Sequence, residues 1–158
     1  MSSPPKVRRG TEDDAEVLAR LLRQFNDEYE DETPDREVLL ERIPKLISSG
    51  DGVFFLAGGD PEGPVGFAYL QFNPSLYSRT RDAYLGELYV VPERRGEGMG
   101  RAMLDAVIEE SRAQNAVHIS LGTSVDDTEA RGLYESMGFT NLEGGEKGPS
   151  MLYYELDL

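Results

Sequence analysis

Cysteine is absent from the 158 residues, which removes disulfides, thiolate metal sites and a cysteine nucleophile together. Histidine occurs once, at His118, so any Ser-His-Asp relay would have to run through it. That residue sits in the strand-like run Ala116-Val117-His118-Ile119-Ser120, where a packed or edge-exposed side chain is commoner than a catalytic one. No apolar run approaches the ~20 residues that span a bilayer. The opening Met1-Ser2-Ser3-Pro4-Pro5 lacks the apolar core of a signal peptide, so the expected location is the cytoplasm. Positive charge is scarce, with 16 Lys and Arg against 30 Asp and Glu and a formal net charge of −14. That balance argues against nucleic acid and against anionic membrane surfaces, both of which need clustered cations. It suits a cationic partner such as an amine, although excess acid more often serves solubility alone.

What is present fits one soluble globular domain: 39% apolar and 29% charged residues in a chain long enough to bury a core. Residues 1–5 read as a disordered lead-in and 6–158 as a single domain. Lys6 to Arg9 form a short strand candidate, followed by Thr11 as a helix N-cap with Glu12, Asp13 and Asp14 in the first turn. Val17, Leu18, Leu21, Leu22 and Phe25 recur at helical spacing. Pro34 opens a second helix with Val38, Leu39 and Ile43, and Pro44 marks a kink or break. Residues 53–57 and 65–70 flank a Gly/Pro-rich link and read as a hairpin. A third strand, 83–91, ends at Pro92, and strict alternation puts Leu85, Glu87 and Tyr89 on one face. A helix follows to about Asn115, then a strand over 117–121. Ala130, Leu133, Tyr134 and Met137 mark a further helix that stops at Gly138. Strands beginning at Phe139 and covering 151–156 complete the order. The fold class is α/β, a mixed and largely antiparallel sheet flanked by helices.

The chemistry concentrates in Leu88-Tyr89-Val90-Val91-Pro92-Glu93-Arg94-Arg95-Gly96-Glu97-Gly98-Met99-Gly100-Arg101. Alternating glycines let backbone N–H groups approach a ligand, and the helix behind them turns its positive dipole end to the same spot. That combination suits a phosphate or pyrophosphate. The Gly-Lys-Ser/Thr tail of a P-loop is missing. Counting from Gly98 and Gly100, the third glycine of a dinucleotide fingerprint is replaced by Met103. A glycine-rich turn without a ligand is the remaining alternative.

Arg95-Gly96-Glu97-Gly98-Met99-Gly100 resembles Q/R-x-x-G-x-G/A, the acetyl-CoA signature of the GNAT superfamily of N-acetyltransferases. Ala130-Arg131-Gly132-Leu133-Tyr134-Glu135-Ser136-Met137-Gly138-Phe139 matches the family's later motif, and the element order agrees over the whole chain. Gly66-Phe67-Ala68 with Tyr84-Leu85-Gly86-Glu87-Leu88-Tyr89-Val90 is similar to the diamine (spermidine/spermine and thialysine) branch. Where many relatives carry a glutamate two residues before the strand's leucine, this chain has Gly86, and its carboxylate is Glu87.

The resemblance implies acetyl-CoA as cosubstrate and no metal. Backbone amides from Arg95 through Gly96, Glu97, Gly98, Met99 and Gly100 to Arg101 would hold the pyrophosphate, with Arg94, Arg95 and Arg101 adding charge. The strand Leu88, Tyr89, Val90 would splay from its neighbour and pair with the pantetheine arm, the Leu88 N–H polarising the thioester carbonyl. Glu87 is the candidate base that deprotonates an amine, or else a solvent-facing or purely electrostatic residue. Tyr134 falls at the family's general acid, with a core aromatic as its alternative role. Asp127 stands where relatives place a cofactor-touching Asn. The acidic run containing Asp27, Glu28, Tyr29, Glu30, Asp31 and Glu32 would face the acceptor together with Glu87, or form a solvated helix end. Residues 26–42 hold eight acids and two arginines, and 92–101 three arginines and two glutamates, which suggests an acceptor side and a cofactor side.

The function implied is acetyl transfer from acetyl-CoA to a primary amine of a polyamine or lysine-like small molecule, through a tetrahedral intermediate. A silent CoA-binding sensor, acetylation of a protein lysine or N-terminus, and a plain interaction domain are the alternatives. The family also makes a homodimer through the C-terminal strands plausible, with Tyr153 and Tyr154 as contacts.

Overall fold

The computed structural model describes residues 3–59 and 61–158, so Met1 and Ser2 of the expected lead-in and Asp60 of the hairpin link lie outside the described residues. The chain divides into two compact units, Met1–Leu121 and Gly122–Leu158.

In the first unit β1 (Val7–Arg9) leads through a 3-10 turn (Glu12–Asp14) into α1 (Ala15–Glu28) and α2 (Arg36–Ser49). The strands β2 (Gly52–Gly59), β3 (Gly63–Pro74) and β4 (Arg81–Val90) follow, then α3 (Met99–Ala113) and β5 (Ile119–Leu121). The sheet order is β1-β2-β3-β4-β5, antiparallel except for the parallel β4–β5 pair. Thr11 begins the helical region as its spacing predicts, its N–H donating to Asp14 Oδ2 at 2.8 Å. Of the kink or break expected at Pro44, the break does not occur: α2 continues to Ser49 and stops at Gly50, whose φ of +78° ends the helix. One lost N–H is offset there by burial of Leu39 and Ile43 on the same helix.

Both sheet faces are covered, which explains why β2 is a near-continuous apolar run rather than an alternating one. One face carries Phe54, Leu56, Phe67 and Tyr89 against Leu18 and Leu21 of α1 and Leu39 and Ile43 of α2. On α3, Met103, Leu104 and Val107 are fully buried. Each such side chain contributes about 1.5–3 kcal/mol of transfer free energy.

In the second unit α4 (Thr128–Ser136) is followed by irregular chain. Strands expected from Phe139 and over 151–156 do not form. The Phe139 N–H closes the end of α4 by donating to the Tyr134 carbonyl at 3.1 Å, and so is not placed in a ladder. Leu142 and Ser150 make a single isolated bridge. Between them lie three glycines and Pro149, which has no N–H to extend the pairing. Tyr153 and Tyr154, expected as dimer contacts, are exposed.

Candidate active site

The carboxylate at the centre of the first unit owes its position to one extra residue. Tyr69 pairs with Glu87 and Leu70 with Leu85, which leaves Gly86 unmatched as a β-bulge. Directly paired residues share a face. Leu85 therefore lies with Leu70, while Glu87 and Tyr89 lie with Tyr69 and Phe67 on the opposite side, that of α1 and α2. The alternation that placed Leu85, Glu87 and Tyr89 together is overturned, because the bulge resets the phase. A Cβ on Gly86 would come within 3.2 Å of Tyr69 Cδ1, so the tyrosine ring covers the bulge closely.

Glu87 is half-buried. Burial first, and the Asp31 carboxylate second, push its carboxyl up to about 7 from an ordinary 4.5. Tyr69 beside it stacks on Phe54 with centroids 4.6 Å apart, and its hydroxyl accepts from Gln71 Nε2 at 3.1 Å. Nothing in the sequence reading singled out Tyr69; the glycine inside the strand pattern was the available signal that register would change beside it.

Beyond Leu85 the strand loses a neighbour. Pairing with β5 runs only from Ala83↔Ile119 to Leu85↔Leu121, so residues 87–90 are laddered to β3 alone within this sheet. Their other edge is the one an extended ligand can pair with. At the strand's end a 3-10 turn (Pro92–Arg94) leads to Gly96 and Gly98, with φ of +80° and +85°. Gly98 is the N-cap of α3, and the first helical bond is from the Ala102 N–H to the Gly98 carbonyl at 3.0 Å. The amides of Met99 and Gly100 precede that bond at the positive end of the helix dipole. A Cβ on Gly96 would meet no atom within 4 Å, and one on Gly98 would lie 3.6 Å from Pro5 Cγ. These features fit a pyrophosphate.

The neighbouring guanidiniums are committed elsewhere. Arg94 binds Glu62, and also Glu97 at 2.8 and 3.2 Å. Arg95 Nη2 donates to both Glu28 oxygens at 2.9 and 2.8 Å, and Nε to the Val90 carbonyl at 2.9 Å. Arg94 and Arg95 are thus paired with carboxylates, and the donors that the turn itself presents are its backbone amides at the helix end. Of the expected acceptor residues, Glu28 is taken by Arg95, and Asp27 and Tyr29 are exposed. The Tyr29 ring stands edge-on to Phe25, with centroids 5.3 Å apart.

Gly98→Val is expected to weaken acetyl-CoA binding about tenfold or more by calorimetry. It forces a β-branched residue into left-handed backbone, at about 1–2 kcal/mol, and covers the amides. An unchanged Kd would remove the cradle assignment.

The second unit holds Tyr134 and Asp127. Tyr134 is half-buried on α4, its ring edge-on to Phe139 at 5.9 Å. Asp127 is the N-cap of α4, its Oδ1 accepting from the Ala130 N–H at 3.2 Å. His118 is exposed, with Nδ1 3.9 Å from Asp82 Oδ1. Among the described residues no group of three His, Asp or Glu is placed to hold a metal, and no helix is long and apolar enough to cross a membrane.

A mixed sheet whose fourth strand bulges at Gly86, loses its neighbour after Leu85 and ends in a glycine turn at a helix N-terminus fits an acyl-CoA-dependent transferase. The acetyltransferase (GNAT) family model matches residues 15–139, and the chain belongs to that family. It is an acetyl-CoA-dependent N-acetyltransferase. An aminoglycoside N(6')-acetyltransferase type 1 of Stenotrophomonas maltophilia is 28% identical over 146 residues, covering 90% of this chain and 91% of that protein. A thialysine N-epsilon-acetyltransferase of Bos taurus is 28% identical over 150 residues, covering 89% and 86%. The crystal structure of an Arthrobacter sp. FB24 protein described as an acetyltransferase superposes with a TM-score of 0.86. It is 36% identical and covers 99% of this chain and 98% of its own.

Proposed function

We propose that the acceptor is a polyamine or lysine-like small molecule, acetylated by direct transfer from acetyl-CoA. The observation that carries this reading is Glu87: a half-buried carboxyl on the α1/α2 face, raised to about 7 by burial and by Asp31. An alkylammonium with a pKa near ~10.4 must lose a proton before its nitrogen can attack. A carboxylate whose own pKa lies near neutrality is a better base for that step than an ordinary glutamate. The same negative charge, with Asp31 behind it, attracts the ammonium. Similarity to a thialysine acetyltransferase supports this acceptor class; similarity to an aminoglycoside acetyltransferase supports an amine acceptor more generally.

In this reading Glu87 takes one ammonium proton, directly or through water. The nitrogen lone pair then forms a bond to the thioester carbon as the carbonyl π pair moves to oxygen. The Leu88 N–H stabilises that oxygen. Collapse restores the carbonyl and breaks the C–S bond. The thiolate takes a proton from Tyr134, which regains one from the nitrogen of the new amide by way of solvent. The role of Tyr134 rests on its place in the family's later motif.

The test is thiol release from acetyl-CoA with spermidine, spermine, thialysine, free lysine and an aminoglycoside as acceptors. Turnover is expected with polyamines or thialysine at kcat/KM at least about tenfold above the aminoglycoside. A preference for the aminoglycoside, or no turnover with any of the aliphatic amines, would overturn the acceptor assignment.

A further inference from the structure

Arg95, which opens the acetyl-CoA signature, is held by the helix that ends among the acids of residues 27–32. We propose that Glu28 is a positioning residue for the cofactor cradle, acting through Arg95, and not an acceptor ligand. Three contacts fix the Arg95 guanidinium. Both Glu28 oxygens accept from Nη2 at 2.9 and 2.8 Å, the Val90 carbonyl accepts from Nε at 2.9 Å, and Cζ lies 5.8 Å from the centre of the Tyr89 ring. Tyr89 in turn stacks on Phe25 of α1 at 5.1 Å, and Tyr29 closes edge-on against Phe25. Charged and aromatic contacts therefore tie the same two segments, the C-terminal turn of α1 and the strand end that feeds the glycines.

The consequence is geometric. Arg95 directly precedes Gly96, whose φ of +80° begins the turn. Fixing its side chain fixes the direction in which the backbone enters the cradle, so fewer cradle conformations remain to be excluded when the pyrophosphate binds. The Glu28 and Arg95 side chains are 26% and 35% exposed, so water screens the pair only in part. Glu28 also cancels the Arg95 charge locally, which leaves the amides and the helix dipole as the source of anion affinity. This inference depends on the signature binding acetyl-CoA, not on which amine is acetylated.

A double-mutant cycle tests it, with acetyl-CoA Kd measured by calorimetry on the full chain and KM measured for spermidine and thialysine. Glu28→Gln is expected to weaken acetyl-CoA binding about three- to tenfold. Arg95→Met is expected to do the same, and the double variant to be no weaker than Arg95→Met alone, because one contact is being removed twice. Glu28→Asp should recover part of the affinity. Two results would overturn the proposal. An unchanged acetyl-CoA Kd with a raised amine KM in Glu28→Gln, in both Arg95 backgrounds, makes Glu28 an acceptor ligand. A tighter acetyl-CoA Kd in Glu28→Gln means that Glu28 withholds Arg95 from the pyrophosphate instead of placing it. The acetyl-CoA arm needs no turnover, so failure of the acceptor assignment leaves it readable.

Discussion

Glu87→Gln is expected to lower kcat/KM about a hundred- to a thousandfold and to erase the inflection near pH 7 from the pH profile. The sign follows from the acid whose pKa is raised. Below about 7 the carboxyl is protonated and cannot take the ammonium proton; as pH rises through that value the base form appears and the rate climbs. Glutamine has no such transition. Stability changes in the opposite sense. Glu87 ionises near 7 in the fold against an ordinary 4.5, so the folded state binds the extra proton between those values. The Glu87 contribution to stability is therefore most favourable below about 4.5, falls as pH rises, and reaches its full cost above about 7. Glu87→Gln should stabilise the protein at pH 8 by on the order of 2 kcal/mol and have little effect at pH 4, as read by thermal melts. A variant that keeps the inflection near 7 would assign that titration, and the base, to another group.

Tyr134→Phe is expected to lower kcat by about two to three orders of magnitude while acetyl-CoA affinity stays within about twofold. Phenylalanine keeps the ring that stands against Phe139 and deletes only the hydroxyl, so packing is retained and the proposed proton donor is lost. A phenol near ~10 is a competent donor to a thiolate whose own pKa is around ~8.5. The loss should shrink with an acyl donor whose leaving group is a weaker base and needs no protonation. Turnover equal to wild type would sink the assignment of Tyr134 as the acid.

Much of this arrangement is readable from residue order. Leu18, Leu21, Leu22 and Phe25 specify α1 because only a helical period brings them to one side. Gly98 ahead of Met99 specifies the start of α3, since a left-handed N-cap followed by helix formers has few other conformations. Gly86 is the instructive failure. Strict alternation through Leu85, Glu87 and Tyr89 describes an unbulged strand, and one inserted residue moves every later side chain to the other face. The glycine was visible in the strand, but whether it becomes a bulge depends on where Tyr69 of the neighbouring strand packs.

The C-terminal segment fails for a related reason. Alternating apolar residues over 151–156 satisfy a strand's pattern, yet a strand also needs a partner backbone, and here pairing stops at one bridge around Pro149.

By itself, then, the sequence determined what depends on local period and backbone permissiveness: the helices, the hairpin, the glycine cradle and the family to which its spacing points. It also set the shortage of cations that makes each arginine's choice of partner matter. Tertiary structure decided those choices. Arg95 and Glu28 are 67 residues apart, and nothing local selects that carboxylate from 30 acids. Only packing of α1 across the sheet brings them together, and only the register of β3 against β4 puts Glu87 on the face where burial and Asp31 raise its carboxyl toward neutrality.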